Sequence, residues 1–525
     1  MAKIEIYYED LCKLLGKDIG KMEFEKALTE SGFPTEDKKE FLEVEVFPNR
    51  PDCLSVEGLA RHLRSWFGLR EKKIKIEKSK LEYFCENVGI RPYFRCSIVR
   101  NCEMSDSLIK SLMQVQEKMH ETVGRKRKKV AIGIHDLKNI KFPIKYCEED
   151  KNASFVPLGF AEKMSLEEIL KKHPKGIEYS WILAGAEKYP VVKDSENKIL
   201  SFPPIINSEL TRVKEDTKDL LIDVTGTDEK TVAQVLTILE YLFAERGAKI
   251  ERPLMNGKYV GLEDFEMELK LEDAEKRIGI KITPEKAKEA LRKMGIKAKG
   301  SKILKCKIPA YRTDFFSSCD LIEDLAIGFG YSNIHLKYPE IFSFGNIKTL
   351  ENEWINLLVG FGLQQVITYM ISNEEKLFKS MEIKNEAVVK ITNPNNKEKT
   401  CVRNWLLPGL LDILSKNKNE KYPQNIFEVG DVLVKEGEKF KQRKKVCIVL
   451  CNKDADYSTI KSYADAILRE IKKENRYEKI NLDFLVPGRQ AKFLEGFIGE
   501  IHPKILQKFK LEVPAAVIET FIDSL

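Results

Sequence analysis

The sequence predicts a multidomain α+β protein. Its 525 residues are too many for one hydrophobic core, so we expect roughly three or four domains. Hydrophobic residues make up 43% of the chain, which is enough to give each domain a core. Segments with the alternating pattern of strands occur along the chain among segments with helical spacing, so both kinds of element belong to the fold.

The first predicted elements are strands and a helix. KIEIYY and FLEVEVFP have strand patterns, and the residues between them include a short amphipathic stretch, Asp10–Leu15. Ser55 predicts the N-cap of a helix that runs to Phe67, because the apolar residues of this segment share one face. Arg50 and Asp52 lie in the turn before this helix. Turn chemistry explains them, and the alternative is that they brace a contact between domains.

The next region combines strands such as FRCSIVRNC with a helix predicted over Asp106–Thr122. A basic run, Arg125–Lys129, closes that helix and precedes the strand-like VAIGIHDL. Such a run is most often a solvated helix end. The net charge of the whole chain is weak support for a polyanionic partner, because Lys plus Arg (89) exceed Asp plus Glu (82) by only seven.

The most informative stretch of this region is LSFPPIINSELTRVKEDTKDLLIDVTGTD. Two prolines favour an extended entry, and Asn207, Ser208 and Thr211 place polar groups on the following turn. LLIDVTGTD then predicts a buried strand with Asp223 in its middle, leading to a helix over Lys230–Glu245. A buried aspartate is costly without a partner, so Asp223 is either a structural hydrogen-bond hub or a recognition group.

Residues 258–336 predict a compact unit. The strand FEMELKLE precedes a helix over Leu271–Ile278, and Thr283 caps a second helix over Pro284–Met294. This second helix carries acidic and basic residues in a mixed array, which favours scaffolding over DNA recognition.

Four carboxylates are concentrated near the end of this unit: Asp314, Asp320, Glu323 and Asp324. Apolar residues at helical spacing predict a helix whose N-cap is Asp320, with a capping box between Asp320 and Glu323. Capping and the helix dipole explain these acids except Asp314. The alternative is a bound cation, which would offset the repulsion between them, and oxygen ligands favour Mg²⁺ or Ca²⁺.

The remaining sequence predicts a further domain and excludes some classes of protein. NIFEVGDVLV predicts a strand that contains Glu428, and VRNWLLPGLLDILSKN predicts a strand followed by a helix. No stretch approaches the roughly eighteen consecutive apolar residues of a membrane span, and the acidic start does not fit a targeting peptide. The eleven cysteines lack zinc-site spacing, so we expect reduced thiols in a cytoplasmic protein.

The acidic region carries a family resemblance. P-x-Y-R-x-D at Pro309 and D-L-I-E-D-x-A-I-x-x-G-Y-x-N-I at Asp320 resemble the magnesium-binding module of phenylalanyl-tRNA synthetase beta subunits, a class II aminoacyl-tRNA synthetase family. Other segments resemble the archaeal and eukaryotic form of this family, in order along nearly the whole chain: MAKIEIYYEDLCKLLGK, FPNRPDCLSVEGLARHL, AIGIHDLKNIKFP, LSFPPIINSELTRVKEDTKDLLIDVTGTD and GFIGEIHPKILQKFKLEVPAAVIE.

The resemblance implies four domains. They are an N-terminal α/β domain (residues 1–88), a tRNA-editing domain (89–256), a winged-helix-like magnesium-binding domain (257–337) and a degenerate, inactive class II synthetase-like domain with an antiparallel sheet (338–525). The basic run lies in the implied editing domain, where it is a candidate for phosphate contact with the tRNA acceptor arm.

Two sets of site residues follow from the same resemblance. The expected Mg²⁺ ligands are Asp314, Asp320, Glu323 and Asp324. The expected editing pocket, which removes tyrosine mistakenly attached to tRNA(Phe), contains Asp223, Thr225, Ser201 and Asn207. Such a pocket is needed because an apolar synthetic site cannot strongly reject an isostere that merely adds a hydroxyl.

Asp223 matches the acid that recognises this hydroxyl in the family. No nucleophile with an adjacent base stands out, so we expect a positioned water to attack the ester with help from the tRNA's own terminal hydroxyl. His135 is a possible base, although a structural histidine is the more typical interpretation.

The implied function is that of the beta subunit of phenylalanine-tRNA ligase. An alpha subunit would hold the synthetic site in an α2β2 tetramer that binds tRNA(Phe), ATP and phenylalanine. Arg403 is the nearest candidate here for an ATP-binding arginine, but no second arginine motif follows, and Glu500 and His502 stand in its place. The alternative is a non-catalytic scaffold subunit that has lost editing.

Overall fold

The computed structural model describes residues 2–522 except 73, 336, 337, 339–344, 346–348 and 475. The chain divides into two compact units, Met1–Tyr338 and Pro339–Leu525. The first unit contains three lobes, each with its own main sheet, which we call the N-terminal lobe (residues 2–72), the central lobe (74–264) and the small lobe (265–335). Each described helix falls short of the length or the apolar character that a membrane crossing requires.

The N-terminal lobe packs three helices on an antiparallel sheet of order β1-β3-β2. Ser55 caps α3 as predicted, since its hydroxyl accepts from the N–H of Gly58 at 3.2 Å. The core of this lobe is continuous with the buried face of helices α4 and α7 in the next lobe. The elements are β1 Ala2–Ile6, α1 Tyr8–Leu15, α2 Lys21–Glu30, β2 Thr35–Asp37, β3 Leu42–Val46 and α3 Val56–Trp66.

The central lobe is built on a nine-stranded mixed sheet of order β12-β11-β10-β7-β4-β14-β5-β13-β6. Strand β13 lies between β5 and β6 and is buried along its whole length, as its apolar sequence predicts. The elements are β4 Ile76–Cys85, β5 Tyr93–Arg100, α4 Asp106–Glu121, β6 Val130–Asp136, β7 Ile144–Glu149, β8 Ser154–Phe155, β9 Met164–Ser165, α5 Leu166–Lys172, α6 Pro174–Tyr179, β10 Tyr189–Lys193, β11 Ile199–Phe202, β12 Ile206–Asn207, β13 Leu220–Gly226, α7 Glu229–Glu245 and β14 Lys249–Met255.

The position of β4 corrects one predicted boundary. This strand falls inside the predicted N-terminal domain, residues 1–88, but it pairs in parallel with β14 and β7 near the middle of the nine-stranded sheet. By sheet membership, the N-terminal lobe therefore ends before β4. The reason is that the partners of β4 are distant in sequence, so its local pattern gives no information about which sheet it joins.

The small lobe combines an antiparallel sheet of order β15-β17-β16 with three helices. The structure confirms the predicted helices α8 and α9, with Thr283 as the N-cap of α9. The elements are β15 Phe265–Lys270, α8 Leu271–Ile278, α9 Pro284–Lys293, β16 Lys297–Gly300, β17 Ile303–Ile308 and α10 Ser318–Phe329.

Helix α10 begins earlier than predicted. Its N-cap is Ser317, and the capping box joins Ser317 to Asp320, so the predicted N-cap at Asp320 and the predicted box between Asp320 and Glu323 are wrong. The Asp320 carboxylate accepts from the N–H groups of Phe316 and Ser317, both at 2.7 Å. Serine and aspartate are both good N-caps, and the apolar pattern begins only at Leu321, so the local signal did not choose between them.

The second unit is built on a six-stranded sheet of order β18-β21-β22-β25-β24-β23. All its neighbouring strands are antiparallel except β18 and β21. The elements are α11 Leu350–Gly360, β18 Gln364–Gln365, β19 Ile371–Ser372, β20 Cys401–Val402, α12 Leu407–Lys416, β21 Gln424–Glu436, β22 Lys439–Cys451, α13 Tyr457–Glu470, β23 Leu485–Phe493, β24 Gly496–Ile501, α14 Pro503–Lys508 and β25 Ala515–Phe521.

Arg61 of α3 lies where the three lobes of the first unit meet. Its guanidinium carbon is 4.0 Å from the ring centroid of Tyr311 in the small lobe and 5.7 Å from that of Tyr241 in the central lobe. It also donates to the carbonyl of Asp52 at 3.3 Å. Arg50 donates twice to the Asp52 carboxylate at 2.9 Å. The side chains of these two residues therefore pair within their turn, as turn chemistry predicts. The alternative, that they brace a contact between domains, stays a prediction.

Three ion pairs, formed by two arginines, also join the N-terminal and central lobes. Arg64 contacts the Glu245 carboxylate at 2.8 Å, and Arg246 contacts Asp10 at 2.6 Å and Glu57 at 2.7 Å. The side chains of Arg64 and Glu245 are 4% and 1% exposed, so neither charge has water as an alternative partner. Removing one partner of such a pair leaves the other charge buried and uncompensated.

We expect Arg64→Met to lower the free energy of unfolding by about 3–5 kcal/mol, because Glu245 loses its close partner in a buried position. Urea unfolding followed by circular dichroism measures this change. Lys3→Met is the matched control, since it breaks the exposed pair of Lys3 with Glu43, and it should leave the unfolding midpoint nearly unchanged. Equal midpoints for the two variants would show that the Arg64 pair does not hold the lobes together.

Candidate functional site

A cavity of about 550 Å³ lies in the central lobe, lined by parts of β6, β11 and β13, the turns on either side of β12, and helix α4. Helix α4 supplies an apolar wall that includes Ile109, Leu112 and Met113. The polar lining includes the four residues predicted for an editing pocket: Ser201, Asn207, Asp223 and Thr225. The fold thus brings Asp223 and Thr225 of β13 together with Ser201 of β11 and Asn207 of β12.

Asp223 occupies the middle of β13, directly opposite Gly133 of β6. A Cβ atom at residue 133 would lie 2.4 Å from Oδ2 of Asp223 and 2.9 Å from Nε2 of His135, closer than atoms can approach. Gly133 therefore leaves the space in which a buried carboxylate and an imidazole meet beside the strand.

His135 holds the carboxylate in place. Its Nε2 lies 2.6 Å from Oδ2 of Asp223, and its Nδ1 lies 2.8 Å from the hydroxyl of Thr211. The tautomer that satisfies both contacts donates from Nε2 to the carboxylate and accepts at Nδ1. His135 is fully buried and is absent from the cavity lining, so this arrangement suits a positioning residue and not a base that acts on a cavity water.

Oδ1 of Asp223 accepts no hydrogen bond from the described part of the chain, whereas Oδ2 has His135 as its partner. One oxygen therefore belongs to a structural hydrogen-bond chain, as the hub interpretation predicts. The recognition role of Asp223 stays a prediction.

Thr225 is fixed by a residue that the sequence did not indicate. Nε of Arg91 donates to the Thr225 hydroxyl at 2.8 Å, and Nη2 donates to the Thr225 carbonyl at 2.7 Å. Nη1 donates to the carbonyls of Arg127 and Lys128, both at 3.1 Å. Burial lowers the pKa of Arg91 to about 10. No local signal could have found Arg91, because its acceptors lie on distant segments and two of its three partners are represented only by backbone carbonyls.

The other two predicted residues differ in their contacts. The amide of Asn207 donates to the carbonyl of Ile134 at 3.2 Å, which ties β12 to β6. The hydroxyl of Ser201 is buried and has no hydrogen-bond partner among the described residues. A buried unpaired hydroxyl is costly, so this atom suits contact with a ligand or an ordered water.

The acidic residues of the small lobe have partners within the chain. Arg312 donates to both oxygens of Asp314, at 2.9 and 2.8 Å, and to Asp324 at 2.9 Å. Asp314 therefore has a partner that the sequence interpretation missed, and the motif itself contains it. Asp320 caps α10, and Glu323 is exposed.

These four carboxylates do not converge on one point as the side chains are placed. Within the described ranges, no group of three or more His, Cys, Asp or Glu side chains is arranged to hold a metal ion. The donor set therefore does not form a ready magnesium site in this arrangement, and magnesium binding stays a prediction.

In the second unit, Arg403 is buried and its charge is paired. It contacts Glu428 at 2.8 Å and donates to the carbonyl of Asp431 at 2.9 Å. Glu500 accepts from the N–H of Tyr457 at 2.7 Å, and His502 caps α14. Internal contacts therefore occupy Arg403, Glu500 and His502, the three residues that the sequence interpretation weighed for the ATP-binding arginines.

Three protein-family models match consecutive parts of the chain. Residues 99–252 match the B3/4 domain, residues 267–331 match the tRNA synthetase B5 domain, and residues 344–522 match the phenylalanyl tRNA synthetase beta chain CLM domain. These matches, together with the fold, place the chain among the subunits of aminoacyl-tRNA synthetases.

Full-length relatives define the family further. The chain is 37% identical over 552 aligned residues to the phenylalanine–tRNA ligase beta subunit of Archaeoglobus fulgidus, covering 99% of this chain and 98% of that one. It is 38% identical to the corresponding subunit of Methanocaldococcus jannaschii, covering 94% and 93%. The chain therefore belongs to the phenylalanine–tRNA ligase beta-subunit family.

A solved structure supports the assignment of the first unit. The chain is similar to an N-terminal fragment of the phenylalanyl-tRNA synthetase beta subunit from Pyrococcus horikoshii, with a TM-score of 0.59 and 35% identity. The match covers 62% of this chain and 99% of the fragment.

We expect Gly133→Ala to destabilise the protein by about 1–3 kcal/mol, because the new methyl group overlaps Asp223 and His135. Urea unfolding measures the change. Gly89→Ala is the control, since the nearest atom to its new Cβ is 3.7 Å away, on Glu148. An unfolding free energy for Gly133→Ala as high as that of Gly89→Ala would contradict the close packing of Asp223 and His135 around residue 133.

Proposed function

We propose that this chain is the beta subunit of a phenylalanine–tRNA ligase and that its central cavity hydrolyses tyrosine mistakenly attached to tRNA(Phe). The observation that carries the editing part is Asp223. Its carboxylate is anchored by His135 on one oxygen, lies beside the Thr225 hydroxyl, and faces a largely apolar cavity.

This arrangement selects for a phenolic hydroxyl. An aromatic ring would pack on the apolar wall of α4, and its hydroxyl would donate to Oδ1 of Asp223. Phenylalanine has no hydroxyl, so it would leave Oδ1 of Asp223 desolvated without a partner and would bind less well. The cavity would then remove the wrong amino acid and spare the right one.

The hydrolytic step follows from what the lining offers. Among the described residues of the lining, Asp223 is the sole acid, and neither a histidine nor a cysteine is present. The lining thus favours a water held by neutral groups such as Ser201 and Asn207, with the terminal ribose hydroxyl of the tRNA assisting. Attack of this water on the ester carbonyl releases tyrosine and leaves the tRNA with a free terminal hydroxyl.

The second unit supports assembly in this proposal. Arg403 is paired with Glu428, so the synthetic site, with its ATP and phenylalanine, belongs to an alpha subunit. Two alpha and two beta chains would form the cytoplasmic α2β2 enzyme, closed by two-fold symmetry. The small lobe would serve as a winged-helix-like scaffold. A scaffold subunit without editing is the alternative, and the ordered surroundings of Asp223 favour the editing form.

We expect Asp223→Ala, in the complex with the alpha subunit, to slow removal of tyrosine from mischarged tRNA(Phe) by about ten- to a hundredfold. The reason is the loss of a hydrogen bond to a charged group that only tyrosine makes. Parallel assays of deacylation and of phenylalanine charging measure the effect, and charging should stay near the parent rate.

Asp219→Ala is the control for this variant. Asp219 pairs with Arg100 just before β13 and does not line the cavity, so both rates should be unchanged. If Asp223→Ala lowers charging and deacylation together, Asp223 acts as a structural hub, and the result favours the alternative of a scaffold subunit without editing.

We also propose that the small lobe binds Mg²⁺ through the acids that the family motif indicates. Asp314 does not provide a clean test, because its pairing with buried Arg312 makes it structural with or without a metal. Glu323 provides a cleaner test, since it is exposed and has no ion-pair partner in the described part of the chain. Bound magnesium would have to draw Asp314 and Asp324 away from Arg312.

We expect the parent protein to gain thermal stability as Mg²⁺ is added, and Glu323→Gln to gain less, because a ligand is missing. Differential scanning calorimetry across a magnesium titration measures both. Glu266→Gln, another exposed acid of the small lobe outside the motif, serves as the control. If magnesium does not raise the thermal stability of the parent protein, the proposal is wrong. The acids would then serve only in helix capping and in the pairing with Arg312.

A further inference from the structure

The hairpin formed by β16 and β17 in the small lobe carries five lysines and no acid over Lys297–Lys307. Four of these lysines alternate with apolar or small residues, so the pleat of the strands places them on one side of the sheet. Leu304 and Cys306 point to the other side and are buried in the core of the lobe. We call the exposed side of the hairpin the lysine face, and its members are Lys297, Lys299, Lys305 and Lys307.

The register of the hairpin sets like charges directly opposite each other. Lys299 pairs with Lys305 across the two strands, and Lys297 pairs with Lys307. Opposed like charges on neighbouring antiparallel strands destabilise a sheet. The stability of the small lobe therefore does not account for this arrangement.

Other parts of the chain compensate the lysine face only at one end. Lys297 contacts Glu71 at 2.5 Å, and Lys307 contacts Asp264 at 3.1 Å. Glu268 of β15 lies opposite Lys305 in register, but it forms no ion pair within the described residues. Lys299 and Lys305 likewise have no ion-pair partner in the described chain, so this end of the face keeps its positive charge.

Protection of a sheet edge explains half of the pattern. β16 is an edge strand in the order β15-β17-β16, and lysines on an edge strand discourage pairing with other chains. This accounts for Lys297 and Lys299. β17, however, is the central strand and already has a partner on each side, so Lys305 and Lys307 need another reason.

The chemistry of the face indicates what would bind to it. Lysines two residues apart on a strand are separated by about 7 Å, so the face is a regular array of point charges on a rigid sheet. The hairpin has no aromatic residue on which a base could stack, and Ile303 is its exposed apolar side chain. Protein interfaces are depleted in lysine at their apolar centre, whereas phosphate backbones are bound by lysine and arginine through the release of counterions.

We propose that the lysine face binds the sugar–phosphate backbone of duplex RNA, as found in the helical body of a tRNA, without reading its sequence. Duplex RNA is recognised mainly through its phosphates, its 2′-hydroxyls and its shape, which a flat array of cations suits. The mixed charge of helix α9 does not oppose this proposal, because the hairpin and not a recognition helix makes the contact. The choice of tRNA as the RNA rests on the proposed function, whereas the uncompensated face itself does not.

The binding test uses the complete enzyme and a blunt RNA hairpin that lacks a single-stranded 3′ end, with affinity measured by fluorescence anisotropy over a range of salt concentrations. The double variant Lys299→Gln/Lys305→Gln should bind about tenfold or more weakly at low salt, and its slope of log affinity against log salt should fall by about 1.8, the value for two duplex phosphates. Lys299→Arg/Lys305→Arg keeps both charges and should restore the slope.

A control variant removes the same charge from the other side of the sheet. Lys276→Gln/Lys286→Gln changes exposed lysines of α8 and α9, the helices that pack against the buried side of the sheet. Its slope should equal that of the parent. Equal slopes for the two glutamine double variants would overturn the proposal, and so would poly-L-glutamate that displaces the RNA hairpin as well as unlabelled RNA does.

Stability measurements separate RNA binding from edge protection. Lys299→Gln/Lys305→Gln removes one pair of opposed charges, so it should raise the thermal midpoint slightly and not lower it. If this variant keeps the RNA affinity of the parent and aggregates on heating, as light scattering would show, the lysines only protect the edge and the proposal is wrong.

Charging and deacylation assays connect this inference with the proposed function. Lys299→Gln/Lys305→Gln should raise the KM for tRNA(Phe) in charging without changing kcat, because the face contacts the substrate away from the reacting atoms. A parent enzyme that binds the RNA hairpin with the lysine-dependent slope but does not deacylate tyrosyl-tRNA would refute editing and leave the lysine face standing. Deacylation by the parent together with a lysine-independent slope would do the reverse.

Discussion

Buried charge must be paired, and this constraint organises the first unit. Arg50 with Asp52, Arg64 with Glu245 and Arg246 with Asp10 and Glu57 lie at or near the contacts between lobes, with little access to water. A charge removed from water costs several kcal/mol unless a partner and good geometry offset it. The N-terminal and central lobes are therefore held in one arrangement, because any other would separate the Arg64 and Arg246 pairs.

In the cavity, by contrast, several buried polar groups lack a partner within the described chain. Asp223 is paired on one oxygen only, the hydroxyl of Ser201 is unpaired, and Nε of Arg127 has no acceptor in the described chain. Elsewhere in this unit, the buried Arg50 and Arg312 each bind a carboxylate through Nε and Nη2. Incompletely satisfied polar groups that face one cavity are typical of a ligand-binding site, and the proposed editing function would supply a hydroxyl donor for Asp223.

The sequence predicted what local chemistry determines. Caps and apolar spacing placed α3, α8 and α9 within a residue or so, and the apolar run around Asp223 indicated a buried strand. Contacts between distant segments could not be predicted from the sequence, because they leave no local pattern. The sheet membership of β4 and the acceptors of Arg91 are examples. The pairing of Arg312 with Asp314 was accessible, since the two are separated by one residue, as are Arg50 and Asp52.

Of the candidate site, the sequence and the family resemblance together supplied the lining but not its support. Asp223, Thr225, Ser201 and Asn207 all line one cavity, whereas Gly133 and Arg91 went unnoticed because an absent side chain and a set of backbone acceptors leave no pattern to recognise.

The position of β4 has a consequence for how the protein is made. This strand is among the first parts of the central lobe to leave the ribosome, yet its neighbour β14 is the last strand of that sheet. At translation rates of about 5–20 residues per second, β4 waits on the order of ten to thirty seconds for its partner. During that interval the hydrogen-bonding edge that β4 later presents to β14 is open, and the charged residues of β4 disfavour pairing with the wrong strand.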